Sequence, residues 1–148
     1  SSQVLIDLGE IHLISRLIDG QYPNYQQIIT KSFKTKVVLN KEEFIEAMKI
    51  SSIFSSRLND IKFVVSQKKN LEIFAQNTDI GENKSIVKAE IEGEDSEVSF
   101  NCRYVLDGLN NIDSANVFFG LNSEDSPAIF KPIGDENYLY VIMPIKAN

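Results

Sequence analysis

The chain repeats itself once, and an internal repeat constrains the architecture more tightly than any single segment can. KVVLNKEEFIEAM (36–48) and EVSFNCRYVLDGL (97–109) superimpose at an offset of 61 residues. Val37 matches Val98, Leu39 matches Phe100, Asn40 matches Asn101, and Phe44-Ile45 match Val105-Leu106. Each copy reads as a short strand, an asparagine suited to N-capping, and a helix. Glu43, three residues after Asn40, suits a capping-box-like start. Three strand-like runs follow each helix: 61–66, 71–76 and 84–91 in the first copy, 116–121, 127–132 and 138–145 in the second. Ile61, Phe63 and Val65 match Val117, Phe119 and Leu121 at an offset of 56, because the second helical segment is five residues shorter. The predicted fold class is therefore α+β, two βαβββ units with helices on one face of antiparallel sheets. In the predicted helix 40–55, Phe44, Met48 and Ser51 share one stripe, and Glu42, Glu46 and Lys49 lie opposite. One face should pack on sheet and the other meet solvent or a partner.

Ahead of the repeat, residues 3–8 and 11–17 are β-rich runs joined through Gly9-Glu10, the pattern of a hairpin. Residues 20–36 contain Gly20, Pro23 and Asn24, lose the alternation and read as a connector. A lone two-stranded hairpin is marginal in water. Residues 1–19 thus read as the end of a preceding domain.

Composition narrows the chemistry. With 43% hydrophobic and 24% charged residues, the 148-residue chain has the makeup of a folded domain. It contains no apolar run of membrane-spanning length, and Ser1 opens no signal peptide. The single Cys102 agrees with a reducing compartment, so the expected location is the cytoplasm. Fifteen cations against 21 anions give a net charge of −6, which argues against general adhesion to nucleic acid. Only three cations are arginines, too few for much reading of guanine edges. Glycine-rich phosphate loops, nucleophile elbows, HExxH helices, CxxC pairs and EF-hand loops are all missing from the sequence. No catalytic residue, metal or cofactor is therefore expected. His12 alternates with Ile11 and Leu13 and should project into solvent. Cys102, at a predicted helix start, has no histidine to activate it and reads as a packing or surface residue. The acidic residues Glu90, Glu92, Glu94, Asp95 and Glu97 bracket Gly93 and read as a solvated turn between strands.

Four segments carry a resemblance: RLIDGQYPNYQQII (16–29), FNCRYVLDGLNNI (100–112), SPAIF (126–130) and YVIMPIK (140–146). In order and nearly end to end, they resemble the β subunit of bacterial DNA polymerase III, the replicative sliding-clamp family. The resemblance implies that 1–19 is the final hairpin of a middle clamp domain, 20–36 an interdomain connector and 37–148 the C-terminal clamp domain. It further implies a non-catalytic processivity factor, a homodimeric ring that encircles duplex DNA without sequence preference. The implied partners are the catalytic polypeptide of polymerase III, a clamp loader, and replication and repair proteins carrying clamp-binding peptides. Gln27 departs from the family pattern, in which a basic residue is frequent there; Thr30 stands where proline is frequent, and Ala147-Asn148 run past the usual end.

By the same matching, the partner-peptide pocket is expected from Pro23 and Ile28 of the connector, Tyr104 of the second helix, and Val141, Met143, Pro144, Ile145 and Lys146 of the last strand. From the pattern alone, Val141, Met143 and Ile145 also read as alternate positions of a buried strand. The ring interface is expected at Ile53 and Phe54 with the strand around Val87, Lys88, Ala89 and Glu90, whose alternation suits an edge kept soluble by charge. A place in the domain's own core fits the same residues. Lys49 and Arg103 are the DNA-facing candidates, against a merely solvated helix face. The alternative function is a stand-alone α+β small-ligand binder or enzyme built on Cys102 or the acidic cluster; a generic sheet-mediated interaction domain is a third reading.

Overall fold

Alternation of buried and more exposed side chains is clearest in the first three strands of the repeat-bearing part of the chain. In the computed structural model, which describes residues 2–66 and 69–146, β3 (Thr35–Asn40), β4 (Asp60–Ser66) and β5 (Asn70–Asn77) bury every second residue. The outer ends of the chain at Ser1 and Ala147-Asn148 lie outside the described residues. β1 (Gln3–Asp7) and β2 (His12–Arg16) form the expected hairpin, in register from Gln3 opposite Arg16 to Asp7 opposite His12. His12 is exposed, its Nδ1 3.2 Å from the Asp7 carboxylate.

After a short 3-10 turn at Tyr25–Gln27, two βαβββ units follow. The first is β3, α1 (Lys41–Ile53), β4, β5 and β6 (Gly81–Gly93); the second is β7 (Ser96–Asn101), α2 (Cys102–Asn110), β8 (Asn116–Leu121), β9 (Ala128–Pro132) and β10 (Tyr140–Ile142). Both helices start where the asparagines predict. Asn40 Oδ1 accepts the Glu43 N–H at 3.1 Å, and Asn101 Oδ1 accepts those of Arg103 and Tyr104 at 3.0 and 3.4 Å. The buried stripe of α1 is Phe44, Ala47, Met48 and Ser51, as expected apart from the added Ala47. Cys102 is buried in the first turn of α2, its Sγ 4.0 Å from Ser55 Oγ, so it packs rather than reacts.

The strands run in the order β10-β9-β8-β3-β6-β5-β4-β7, all described pairings antiparallel. Each unit's second strand pairs with the other unit's first, β4 with β7 and β8 with β3. This exchange gives the fold an approximate two-fold symmetry. Phe63 and Phe119, equivalent in the repeat, meet edge to face with ring centroids 5.7 Å apart. Phe63 also packs on Phe44 and Phe100, and Phe119 stacks on Phe130 at 4.5 Å.

Three sequence-based boundaries need correction. β3 begins at Thr35, so the connector ends two residues before the predicted 36; the Thr35 hydroxyl is buried and donates to Glu94 O at 2.7 Å. The run 138–145 is strand only at Tyr140–Ile142, because Pro144 has no N–H for the ladder. Ile145 N–H then donates to Ser99 O of β7 at 2.8 Å, so the chain leaving one end of the sheet reaches the strand at the other end. Lastly, the run predicted at 84–91 extends over Gly81–Gly93; β6 lies between β3 and β5 in the strand order, and Val87 and Ala89 are core residues. Its halves pair on opposite sides, residues 81–88 with β5 and 89–93 with β3, which leaves 81–88 with one side unpaired among the described strands. Gly93 ends β6 at φ +112°, with the Lys34 carbonyl where a Cβ would lie, so no other residue fits this turn.

Truncating Phe119 to alanine should cost about 3–5 kcal/mol and Asn101→Ala about 1 kcal/mol. Urea denaturation followed by circular dichroism measures both; similar small losses would mean that the aromatic contact is not central.

Candidate functional site

Alternation along the last strand sends its side chains to two destinations. Tyr138, Tyr140 and Ile142 face the domain: Ile142 is buried, and the Tyr138 hydroxyl donates to Gly108 O of α2 at 3.2 Å. The Tyr140 ring lies so close over Gly108 that a Cβ there would be 2.5 Å from it. Burial raises the pKa of both hydroxyls; Tyr140 is raised further by Asp107, Tyr138 and Tyr104. Both phenols stay neutral at physiological pH, so Tyr138 remains a donor.

Leu139, Val141 and Met143 face the other way, toward the connector. There the 3-10 turn, closed by the Ile28 and Ile29 N–H groups on Tyr25 O at 3.0 and 3.2 Å, presents Tyr25, Ile28 and Ile29. Asn137 completes the wall of a groove of about 540 Å³. Tyr25 and Met143 are more than half exposed, at 56% and 57%, and the Tyr25 ring is braced edge-on by Tyr22 at 6.4 Å. A concave apolar patch with one amide in its wall is suited to binding rather than to bond-breaking chemistry.

Of the residues predicted for a pocket, Ile28, Val141 and Met143 come together here. Pro23 lies upstream of the 3-10 turn and Tyr104 is exposed on α2; neither lines the groove. Pro144 is half-buried beyond it. Ile145 and Lys146 turn into a separate cleft with Lys62, Ser99 and Asp125, where Lys146 Nζ stands 3.5 Å from the Asp125 carboxylate. These five lie outside the lining of this groove. Tyr25, Ile29, Asn137 and Leu139 were not anticipated, although Leu139 shares the alternation of Val141 and Met143 and was legible from it.

The second surface lies beside the unpaired side of β6. Ile50 and Ile86 are exposed next to each other, and Ile53 is exposed at the end of α1, whereas Phe54 packs partly against the core. A polar cluster ties this half of β6 to α1: Ser51 and Ser85 hydroxyls both donate to Asn83 Oδ1 at 2.9 Å. The backbone groups that face the free side belong to Glu82, Lys84, Ile86 and Lys88, since their neighbours bond to β5. Of the predicted interface residues, Lys88 and Glu90 are exposed, while Val87 and Ala89 point into the core.

Lys49 and Arg103 both lie on exposed helix faces. Lys49 shares its face with exposed Glu42 and Glu46, and Lys41 is committed to Ile112 O at 2.7 Å. The described residues contain no group of three or more potential metal ligands and no helix long and apolar enough to cross a membrane.

Similarity to known proteins agrees with this geometry. The chain is 32% identical over 146 residues to the beta sliding clamp of Synechococcus elongatus, covering 97% of this chain and 39% of that protein. It is 29% identical over 149 residues to the Bacillus subtilis clamp, covering 99% and 39%. The crystal structure of the Pseudomonas aeruginosa DNA polymerase III subunit beta superposes with a TM-score of 0.90 at 28% identity, over 99% of this chain and 40% of that one. The Thermotoga maritima beta subunit gives 0.89 at 26% identity, again over 99% and 40%. The chain thus spans about two-fifths of the length of these relatives. Residues 26–146 match the family model for the C-terminal domain of the DNA polymerase III beta subunit, and the chain belongs to that family.

Proposed function

We propose that the chain forms the partner-docking, ring-closing region of a DNA sliding clamp, a non-catalytic processivity factor of the cytoplasm that needs no cofactor. In this reading the complete protein dimerises into a ring around duplex DNA and tethers the catalytic polypeptide of polymerase III. The clamp loader and repair proteins use the same surface. The observation that carries the reading is the groove between the connector and β10, where Ile28, Val141 and Met143 converge beside Tyr25, Ile29 and Leu139. Its dimensions suit a short extended peptide with apolar anchors, and its thioether lets it adapt to several.

Two further features support the ring. The hairpin of residues 1–19 exposes Val4, Leu5, Ile6, Leu13 and Ile14 from both of its faces, as expected of the last hairpin of a middle domain. The unpaired half of β6, with Ile50, Ile53 and Ile86 beside it, offers a strand edge and an apolar strip to a second copy of the protein. We assign Phe54, Lys88 and Glu90 to the surroundings of that junction, and Val87 and Ala89 to its support from beneath. Lys49 and Arg103 are the channel-facing cations, and they act weakly because the helix face around Lys49 is acidic.

Met143→Ala in the full-length clamp should weaken binding of an apolar partner peptide about tenfold, equivalent to about 1.4 kcal/mol. Fluorescence anisotropy gives the value, and unchanged affinity in a folded variant would remove the groove from the function. In the same protein, Ile53→Ala with Phe54→Ala should shift the dimer toward monomer in sedimentation velocity at low protein concentration. A dimer as tight as wild type would place the ring junction elsewhere.

A further inference from the structure

The turn that leads into the groove wall at Asn137 carries two carboxylates, Asp135 and Glu136. Asn137 supplies the amide in an otherwise aliphatic and aromatic wall, and its position is fixed from behind. The Asp135 carboxylate accepts both the Asn137 backbone N–H and its side-chain Nδ2–H, each at 2.8 Å. A carboxylate only accepts, so the amide nitrogen must face Asp135 and its oxygen must face away. That oxygen is an acceptor with no described donor. Asp135 and Glu136 are both exposed, and neither forms an ion pair among the described residues.

No ion pair among the described residues offsets this charge, and the connector cation nearest the groove in sequence is Lys31, two residues past Ile29. The opposite wall comes from GQYPNYQQIIT (20–30), eleven residues without a single charge, Gln27 included. Lys146, the cation nearest in sequence on the C-terminal side, is turned into the other cleft toward Asp125. The turn next to the groove's Asn137 therefore carries two exposed carboxylates and a hydrogen-bond acceptor, with no cation among the described residues ion-paired to them.

We propose that this groove selects an apolar peptide carrying a lysine or arginine where it passes the Asp135–Asn137 turn, and disfavours an acidic residue there. The inference rests on the docking reading above and adds the charge of the ligand to it. Apolar anchors fill the space lined by Ile28, Val141 and Met143, and the flanking cation meets Asp135 and Glu136 while donating to Asn137 Oδ1. Because these charges stand at a solvated rim, they tune affinity and association rate but do not by themselves hold the ligand.

The test uses the full-length clamp and three fluorescein-labelled peptides that share one apolar core and end in lysine, glutamine or glutamate. At low ionic strength the lysine peptide should bind about tenfold tighter than the glutamate peptide, and the ratio should approach one near 1 M salt, where the screening length falls to about 3 Å. Asp135→Asn with Glu136→Gln should cut the low-salt ratio to about twofold, while Asp125→Asn, in the neighbouring cleft, should leave it intact. Equal binding of the lysine and glutamate peptides, or a ratio that the double variant does not change, would overturn the proposed selectivity and leave the docking groove standing. Failure of all three peptides to bind would overturn the docking reading itself, and this inference with it.

Discussion

The contact between Phe63 and Phe119 holds the architecture together. These are the same residue of the two repeats, and they touch because each unit gives its second strand to the other unit's first. Neither βαβββ unit can bury its aromatic face alone: Phe63 needs Phe119 and Phe100 from the second unit, and Phe119 needs Phe63 from the first. Exchange of strands converts two marginal half-domains into one core, which is what makes an internal repeat foldable. The functional surfaces are then what the two units do differently around that shared centre.

The difference is concentrated in the last strand of each unit. Val38 of β3 lies opposite Glu90 of β6, and its repeat equivalent, Ser99 of β7, accepts from Ile145; β6 and the C-terminal segment therefore correspond at an offset of 55 residues. On that register buried Val87 matches buried Ile142, while Lys84, Ile86 and Lys88 match Leu139, Val141 and Met143. One outward stripe is mostly cationic and keeps an open strand side soluble. The other is wholly apolar and faces the connector as a groove. Pro144, where the first unit has Ala89, interrupts the second strand just after Met143, so the chain leaves the groove instead of pairing along its whole length.

How much of this could be read from sequence follows the distance over which each feature is determined. Asparagine caps, helix stripes and strand alternation are set within a few residues, and Asn40, Asn101, Phe44 and Met48 were legible. So were the two βαβββ units, because equal patterns imply equal structures. The place of β6 in the sheet was legible only in part: alternating charge suits the open side of residues 81–88, but the switch of partner from β5 to β3 at residue 89 is set by the pairing order. The groove was legible in half. Val141 and Met143 follow from alternation and Ile28 from the resemblance, but the diversion of Ile145 and Lys146 depends on a hydrogen bond to Ser99, 46 residues earlier. Asn137 is placed by its bond to Asp135, a local turn that neither periodicity nor motif matching marks.

On the clamp reading proposed above, the acidity of the chain has a physical rationale. A ring that must slide cannot make many fixed phosphate contacts, because each one releases counterions and adds to the barrier for the next step. The outer face of α1 sets Lys49 between Glu42 and Glu46, a surface that attracts phosphate weakly at close range. In that proposed ring, persistence on DNA comes from closure, which assigns the strong interactions to protein–protein surfaces. That division matches what the chain exposes: many of its exposed apolar residues lie in the groove, beside the free side of β6 and on the hairpin, and few of its cations share a helix face.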